Sequence, residues 1–390
     1  MKAARRGLIG IALIVSVATA PGLALRWLPA ELDLGQAPGT VEVYRLTVHN
    51  NSEETEQVTI FVQDWLRDEG GANDFDLPAN GARWVFARSF AVGETVSVSY
   101  SFELPADGAV DIGGAAIVAS PQASLDVGGV SRIDRSGATE ESAVLSAEAT
   151  IERSLVTIDE AGVATMVVTI TAKDQLQGLA LYESLSVATP ITGLDAAGGA
   201  FASVDRSCGS WVSLSADRVE LAADESQDIL VTISTPADYD GSYWCIVMAE
   251  LVPRVLEQNG TRILAVPQVG AKLFVSAPGT EALSGQITGV TLVEEDPVTL
   301  EATFVNTGNV QLVVTGAVQI IDRNGDVVRQ FAFEESSRDY FRVLPGSTRV
   351  LTLTDPAADD PLPEGIYQAL VTLDFGGENP VGGVRAFQIR

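Results

Sequence analysis

The stretch TVSVSYSFELPADG, Thr95 to Gly108, decides the fold. Its first ten residues alternate in polarity with a period of two, the mark of a half-buried antiparallel strand. Proline then ends the strand and Asp opens a turn, as their backbone chemistry favours. The same phrase returns 131 residues later as SQDILVTISTPADYDG, Ser226 to Gly241. Working outward, Gly93-Glu94-Thr95 matches Asp224-Glu225-Ser226, Trp84 falls near Trp211, and Ile117-Val118 matches Ile246-Val247. Further upstream, TVEVYRLTVHN parallels ATMVVTITAKD at Ala164 to Asp174. A catalytic loop is rarely duplicated in this way, whereas a structural module often is. The repeat is therefore read as architectural.

The other segments agree. In VEVYRLTVHN (Val41 to Asn50), Tyr44, Leu46 and Val48 share one face, and Val43, Arg45, Thr47 and His49 share the other. QVTIFVQ (57–63) and AAIVAS (115–120) alternate likewise, and turn residues separate these runs at short intervals. No amphipathic helix of three turns is found. The expected fold class is all-β: three tandem immunoglobulin-like β-sandwiches after an N-terminal signal peptide. The expected boundaries are 1–24 for the signal peptide, 25–120 for the first sandwich and 121–145 for a linker or mobile arm. The second sandwich, a repeat of the first, is placed at 146–278 and the third at 283–390. PRVLEQNGTR predicts a hairpin turning on Asn259-Gly260, and IDRNGDVV a type I′ hairpin turn on Asn324-Gly325.

With 390 residues, 46% hydrophobic and 19% charged, the chain can bury several cores. Its net charge of -28 repels phosphate backbones and anionic lipid, which argues against nucleic-acid binding. Lys2, Arg5 and Arg6 followed by the apolar run Gly7 to Ala20 read as a secretory signal, with cleavage after Ala24 favoured over cleavage after Ala20 and over an uncleaved anchor, which the short apolar run and Pro21-Gly22 argue against. Removing those three cations takes the net charge of -28 down by three, to -31. No other run is long enough to span a bilayer. In an exported chain, the only two cysteines, Cys208 and Cys245, predict a structural disulfide. Closing a loop of that length stabilises by on the order of 3–4 kcal/mol.

The candidates for chemistry are few. His49, the only histidine, lies on the polar face of a strand with no second group for a triad or a zinc site, and reads as a surface residue. DWLRDEGGANDFD (Asp64 to Asp76) offers five acidic residues; a solvated loop is the leading reading, ahead of a calcium loop and of a carboxylate pair for glycoside hydrolysis. Asp322, Asn324 and Asp326 alternate as calcium ligands do, but Val327 and Phe333 stand where an EF-hand needs Gly and Glu. There is no phosphate loop, no GxSxG elbow and no HExxH. No catalytic, cofactor-binding or metal residue is assigned, calcium being the one cofactor weighed. GSYWCIV (241–247) carries the Gly-x-Tyr-x-Cys of antibody-type domains, yet Cys208 lies only 37 residues upstream, so the disulfide placement is the chain's own.

VYRLTVHNNSEETEQVTIFVQDW, FDLPANGARWVFARSFAVGETVSVSY and LPADG resemble the N-terminal domain of periplasmic pilus (fimbrial) chaperones over about 95 residues. FVNTGNVQL, VLPGSTR and PLPEGIYQALVTLDFGG are similar to C-terminal modules of chaperone-like and WxL-interacting envelope proteins. The resemblance implies a non-enzymatic, exported protein, periplasmic or at the cell surface, that binds protein subunits or cell-wall polymer. It also implies an Arg and a Lys in an interdomain cleft to hold a subunit's carboxylate. TVSVSYSFEL supplies neither, and Arg45 is not assigned that role. The expected function is binding of another envelope or surface protein, such as a fimbrial-type subunit, by strand-edge pairing. The segment Pro121 to Glu141 is a candidate contact. The alternative is a structural or adhesive module that binds cell-wall glycan.

Overall fold

The structure is a computed structural model that describes residues 24–120, 123–125, 131–140, 143–145, 149–187, 189–258, 261–333, 341–357 and 360–390. The signal-peptide assignment at 1–24 thus lies almost wholly outside the described residues. The fold is all-β, built of several β-sandwiches. Apart from one 3₁₀ turn, Gly209–Trp211, no helix occurs among the described residues.

In chain order the first strands are β1 (Leu25–Leu28), β2 (Glu31–Gly35), β3 (Val41–Asn50), β4 (Glu56–Arg67) and β5 (Asn73–Pro78). Next come β6 (Gly81–Phe86), β7 (Thr95–Glu103), β8 (Ala109–Ser120), β9 (Ala123–Leu125), β10 (Ser131–Asp134), β11 (Gly137–Glu140) and β12 (Ala143–Leu145). They are followed by β13 (Ala149–Ile158), β14 (Val163–Ala172), β15 (Leu179–Leu185), β16 (Thr192–Asp195) and β17 (Ala200–Ser203). Then follow β18 (Val212–Leu214), β19 (Arg218–Leu221), β20 (Ser226–Ser234), β21 (Ser242–Leu251), β22 (Arg254–Gln258), β23 (Thr261–Ala265) and β24 (Gln268–Ser276). The last are β25 (Gly285–Glu295), β26 (Val298–Asn306), β27 (Leu312–Val313), β28 (Thr315–Asp322), β29 (Val327–Phe333), β30 (Arg342–Val343), β31 (Thr348–Thr354), β32 (Gly365–Asp374) and β33 (Val381–Ile389).

Pairing does not follow the tandem boundaries expected at 25–120 and 146–278. β3 pairs with β20 and β4 with β21, so the two ends of this region build one sandwich: sheet β1-β3-β20-β18 faces sheet β19-β4-β21-β24-β2. Its core joins Leu46, Val48 and Ile60 to Ile229, Val231, Val247 and Leu273. The disulfide Cys208–Cys245 lies in that core, with Cα atoms 5.4 Å apart. Strands β6 to β17 form a separate, inserted sandwich of sheets β11-β10-β8-β15-β6-β17 and β12-β13-β14-β7-β16. Alternation gives each strand its buried face but does not choose between two similar partners, which is why the pairing cannot be read from the strand patterns. The segment Pro121 to Glu141 is likewise not a free arm throughout: β10 pairs with β8, and Ile133 is fully buried in the inserted core. The third sandwich packs β25-β26-β31 on β29-β28-β32-β33.

The two predicted hairpins are both in place, but one turn differs. In the first, β22 pairs with β23 from Arg254 opposite Ala265 to Gln258 opposite Thr261, and the expected turn on Asn259-Gly260 itself lies outside the described residues. At Asp322–Asp326 only Gly325 takes a left-handed φ, of 91°, and Gly325 N–H donates to Asp322 O. This is a type I turn with the glycine in a bulge, not type I′, which needs two left-handed residues. The Asp322 carboxylate accepts from the Asp326 and Asn324 N–H groups and is held below its ordinary pKa by them, closing the turn as a carboxylate cap.

A charged residue sits at an inward position on each sheet of the inserted sandwich. Arg153 of β13 meets Glu183 of β15 with Nε–Oε distances of 2.9 Å and Nη2–Oε1 of 2.8 Å, both side chains 0% exposed. Tyr100 Oη donates to the same carboxylate at 3.0 Å. Burial pushes Glu183 above its ordinary pKa, opposed by Arg153 and Tyr100. A Cβ at Gly114 would lie 2.5 Å from Arg153 Nη2, so glycine keeps the space in which the pair sits. Removing one partner leaves the other charge buried and alone. Arg153→Met should therefore lower unfolding free energy by roughly 3–5 kcal/mol in a denaturant titration, while Arg153→Met with Glu183→Leu should recover most of the loss.

Candidate functional site: the acidic hairpin and the joints it makes

The acidic stretch 64–76 is not a solvated loop throughout: only its turn, Asp68 to Ala72, is largely exposed. It is the β4–β5 hairpin, and it touches all three sandwiches. Asp64, on β4, is 0% exposed. Its Oδ2 accepts from Asn80 N–H at 2.8 Å, and its Oδ1 accepts from Ser207 Oγ at 2.5 Å. Asn80 immediately precedes the inserted sandwich, and Ser207 lies just beyond its last strand. One carboxylate therefore holds both crossings between the first and the inserted sandwich. Burial raises the Asp64 pKa to about 7, although Ser207 and the Asn80 and Gly81 N–H groups pull the other way.

The outer half of the hairpin faces two ways. Toward the inserted sandwich, Asp74 and Asp76 bind Arg83 at 2.5 and 3.0 Å, and Tyr182 Oη donates to Asp76 at 2.8 Å. Burial alone would raise Asp74, but the Arg83 hydrogen bond and the Asp76 N–H outweigh it and hold the carboxyl below its ordinary value. Toward the third sandwich, Glu69 O accepts from Val350 N–H at 2.8 Å on the edge of β31, and Arg349 Nη1 donates to Asp68 O at 3.3 Å. Gly71, with φ of 100°, lies against the Arg349 guanidinium. The acids thus do not converge on one point: Asp64 faces Asn80 and Ser207, Asp74 and Asp76 share Arg83, and Asp68 and Glu69 meet the third sandwich through their backbone carbonyls. Among the described residues no three His, Cys, Asp or Glu side chains are placed to hold a metal ion.

Behind the hairpin lies a small aromatic core shared by all three parts. Trp65, Leu77, Trp244 and Phe274 pack with Val204, from the return crossing, and with Leu344 of the third sandwich. Trp244 Nε1 donates to Trp65 O at 2.9 Å. Lys272 and Arg67 stand 4.9 and 5.4 Å from the Trp65 ring centroid, and Arg342 lies 6.0 Å from that of Phe274. Arg342 also binds Glu31 at 2.5 Å, and Arg67 donates to Arg342 O at 3.2 Å. Each of these three cations is less than a tenth exposed. Arg67 and Arg342 fasten the first sandwich to the third, and Lys272 covers the Trp65 ring beside them. Sequence reasoning did not single them out. The usable signal was Trp65 flanked by charges on an otherwise alternating strand.

The echoed turn is a second fastening. In TPADYDG, Gly241 has φ of 61°, and a Cβ there would lie 2.2 Å from Asn309 O. Ser242 N–H donates to Asn309 O at 2.8 Å, and Asn309 Nδ2 donates to Asp240 at 2.9 Å. The Asn309 hydrogen bond, with Arg206 beside it, holds the Asp240 carboxyl below its ordinary value. His49 and Arg45 lie on the outer face of β3. His49 Nδ1 is 2.8 Å from Ser226 Oγ, and Arg45 pairs with Asp228 at 3.3 Å, both exposed. Neither belongs to the joints.

No family model matches the chain, and no curated protein sequence matches it. Among solved structures it is similar to a class 5 fimbriae chaperone, at 9% identity over 93% of this chain and 98% of that one, TM-score 0.31. It is similar also to the Escherichia coli chaperone DraB, at 11% identity over 94% and 96%, TM-score 0.30. A third is the complex of Salmonella enterica SafA pilin with the SafB chaperone, at 11% over 94% and 99%, TM-score 0.29. Overlap at that level fixes no residue correspondence, and no site residue is carried over.

Two tests address the joints. Asp64 has a folded pKa of about 7 against an ordinary value near 4, so the folded state holds a proton that the unfolded chain has lost. Its contribution is fully present below pH ~4 and is lost as pH rises through about 7. Unfolding free energy measured from pH 4 to 8 should fall more steeply for the native chain than for Asp64→Asn; parallel curves would refute the assignment. Gly71→Ala would set a Cβ 2.0 Å from Arg349 Nη1 at a left-handed φ. It should loosen the third sandwich, seen as faster proteolysis between residues 277 and 285 with the core of the first sandwich still protected.

Proposed function

We propose that this chain is an exported, non-catalytic envelope protein. It binds another secreted or surface protein, of the fimbrial-subunit type, by strand-edge pairing in a pilus-chaperone-like assembly role. The observation that carries this is the ribbon β22–β23. Its two five-residue strands pair only with each other among the described residues. A two-stranded ribbon is marginal alone and presents two rows of unpaired backbone groups. A partner strand laid along either row gains main-chain hydrogen bonds and completes a three-stranded sheet. The ribbon joins β21 to β24, so a strand docked there would sit at the end of the six-stranded sheet of the first sandwich.

The ribbon's root is fixed by Arg254, which binds the buried Glu56 carboxylate, with Ser52 Oγ donating to Glu56 from the other side. Arg254 should therefore stay when the ribbon is tested. Replacing Val255–Leu264 by a short Gly-Ser connection should leave the thermal midpoint within about 2 °C, because β22 and β23 pair with no other strand among the described residues. It should also abolish capture of the protein that the native chain retains from an envelope extract. If the shortened chain captures the same protein equally well, the ribbon is not the docking edge. Recovery of wall polymer alone by both chains would favour the glycan-binding alternative.

A further inference from the structure

We infer that the first and inserted sandwiches arise by exchange of half-sandwiches between two tandem repeats, and that β3–β4 can also close on β7–β8 of its own repeat. The inference stands apart from the docking reading above.

The halves are equivalent in detail. In the turn Ala91–Glu94, Ala91 N–H donates to Glu94 Oε2 at 2.9 Å, Gly93 has φ of 83°, and Glu94 O accepts from Ala172 N–H at 2.9 Å. In the turn Ala222–Glu225, Ala222 N–H donates to Glu225 Oε2 at 2.7 Å, Asp224 has φ of 59°, and Glu225 O accepts from Asn50 N–H at 2.9 Å. At the far end of the same strands, Leu104 N–H donates to Gly162 O and Thr235 N–H donates to Thr40 O. The registers coincide as well: Thr47 faces Asp228 as Thr169 faces Ser97. On the second sheet, β4 lies beside β21 as β15 lies beside β8. The sequence alignment that set Asn50 against Asp174 is thus two residues out, an even shift that kept every residue on its correct face.

Two repeats in a row would ordinarily close separately. Here the first half of repeat one completes the second half of repeat two, and the remaining halves complete each other. The hinge is the two-residue link Ala79–Asn80. β5 runs back along β4 from Asn73 opposite Arg67 to Pro78 opposite Gln63. A straight continuation would bring Ala82–Val85 beside Thr59–Glu56, the place that β19 fills. The chain turns away instead at Asn80, whose φ is 48° and whose N–H is held by Asp64. Short hinge links of this kind favour exchange over local closure.

Cysteine pairs read the two closures separately in the full chain, whose native cysteines are already joined. Thr47 and Asp228 are in side-chain contact, with Oγ1–Oδ1 at 2.7 Å, on an exposed face. Thr47→Cys with Asp228→Cys reports exchange. Thr47→Cys with Ser97→Cys reports closure within the repeat, because Ser97 is the equivalent of Asp228. In the native protein the first pair should close quantitatively and the second should stay reduced. During refolding from denaturant, with Cys208–Cys245 kept oxidised, the second pair should close within single chains in a measurable fraction. Asn80→Val, which disfavours the left-handed hinge, should raise that fraction several-fold. If the second pair stays reduced throughout refolding in both backgrounds, or closes only between chains, closure within the repeat is ruled out.

Discussion

The placement of the inserted sandwich on the first turns on one buried carboxylate. Asp64 cannot reach water, so its hydrogen-bond capacity has to be met by protein donors, and those donors are the Asn80 N–H where the chain enters the inserted sandwich and the Ser207 hydroxyl where it returns. A domain joined by one linker is free to swing, whereas a domain joined by two crossings pinned at a single point is not. The same hairpin then reaches on to Arg83 in one direction and to β31 in the other. Movement at any joint would have to strain the next.

The joints also change what the net charge of -28 means. Arg67, Arg153, Lys272, Arg342 and Arg349 are all nearly or fully buried. Fewer carboxylates are buried with them, Glu56, Asp64, Glu183 and Asp355 among the described residues. The exposed surface is therefore more acidic than the whole-chain count suggests. Such a field repels polyanions and steers basic partners toward the protein, an effect that salt weakens.

Fold class was legible because alternation and turn chemistry are local. The strands, the echoed turn and the pairing of β22 with β23 all follow from residues within reach of one another. Pairing between distant strands was not legible, since β7 and β20 present the same pattern to β3. The buried ion pair was half legible. Glu183 is in phase with Leu179, Leu181 and Leu185, and Arg153 with Ile151 and Leu155, an inward charge on each of two strands that composition alone hides. The role of the acidic hairpin was hidden because a count of carboxylates says nothing about where arginines from other strands will fall.

Duplication explains why the alternatives lie close together. When two repeats carry matching faces, exchange and local closure bury similar apolar surface and satisfy similar backbone hydrogen bonds, and the difference rests on whatever is unique to one arrangement. Three unique features favour exchange here. The left-handed Asn80 redirects the chain, the Asp64 clamp needs Ser207 beside Asn80, and the aromatic core around Trp65 needs Trp244 and Val204 from the second repeat together with Leu344. Local closure would leave Trp65 without Trp244 and Asp64 without Ser207. The third sandwich, seated on that same core and on the turn at Gly241, thereby draws part of its footing from residues that only exchange brings together.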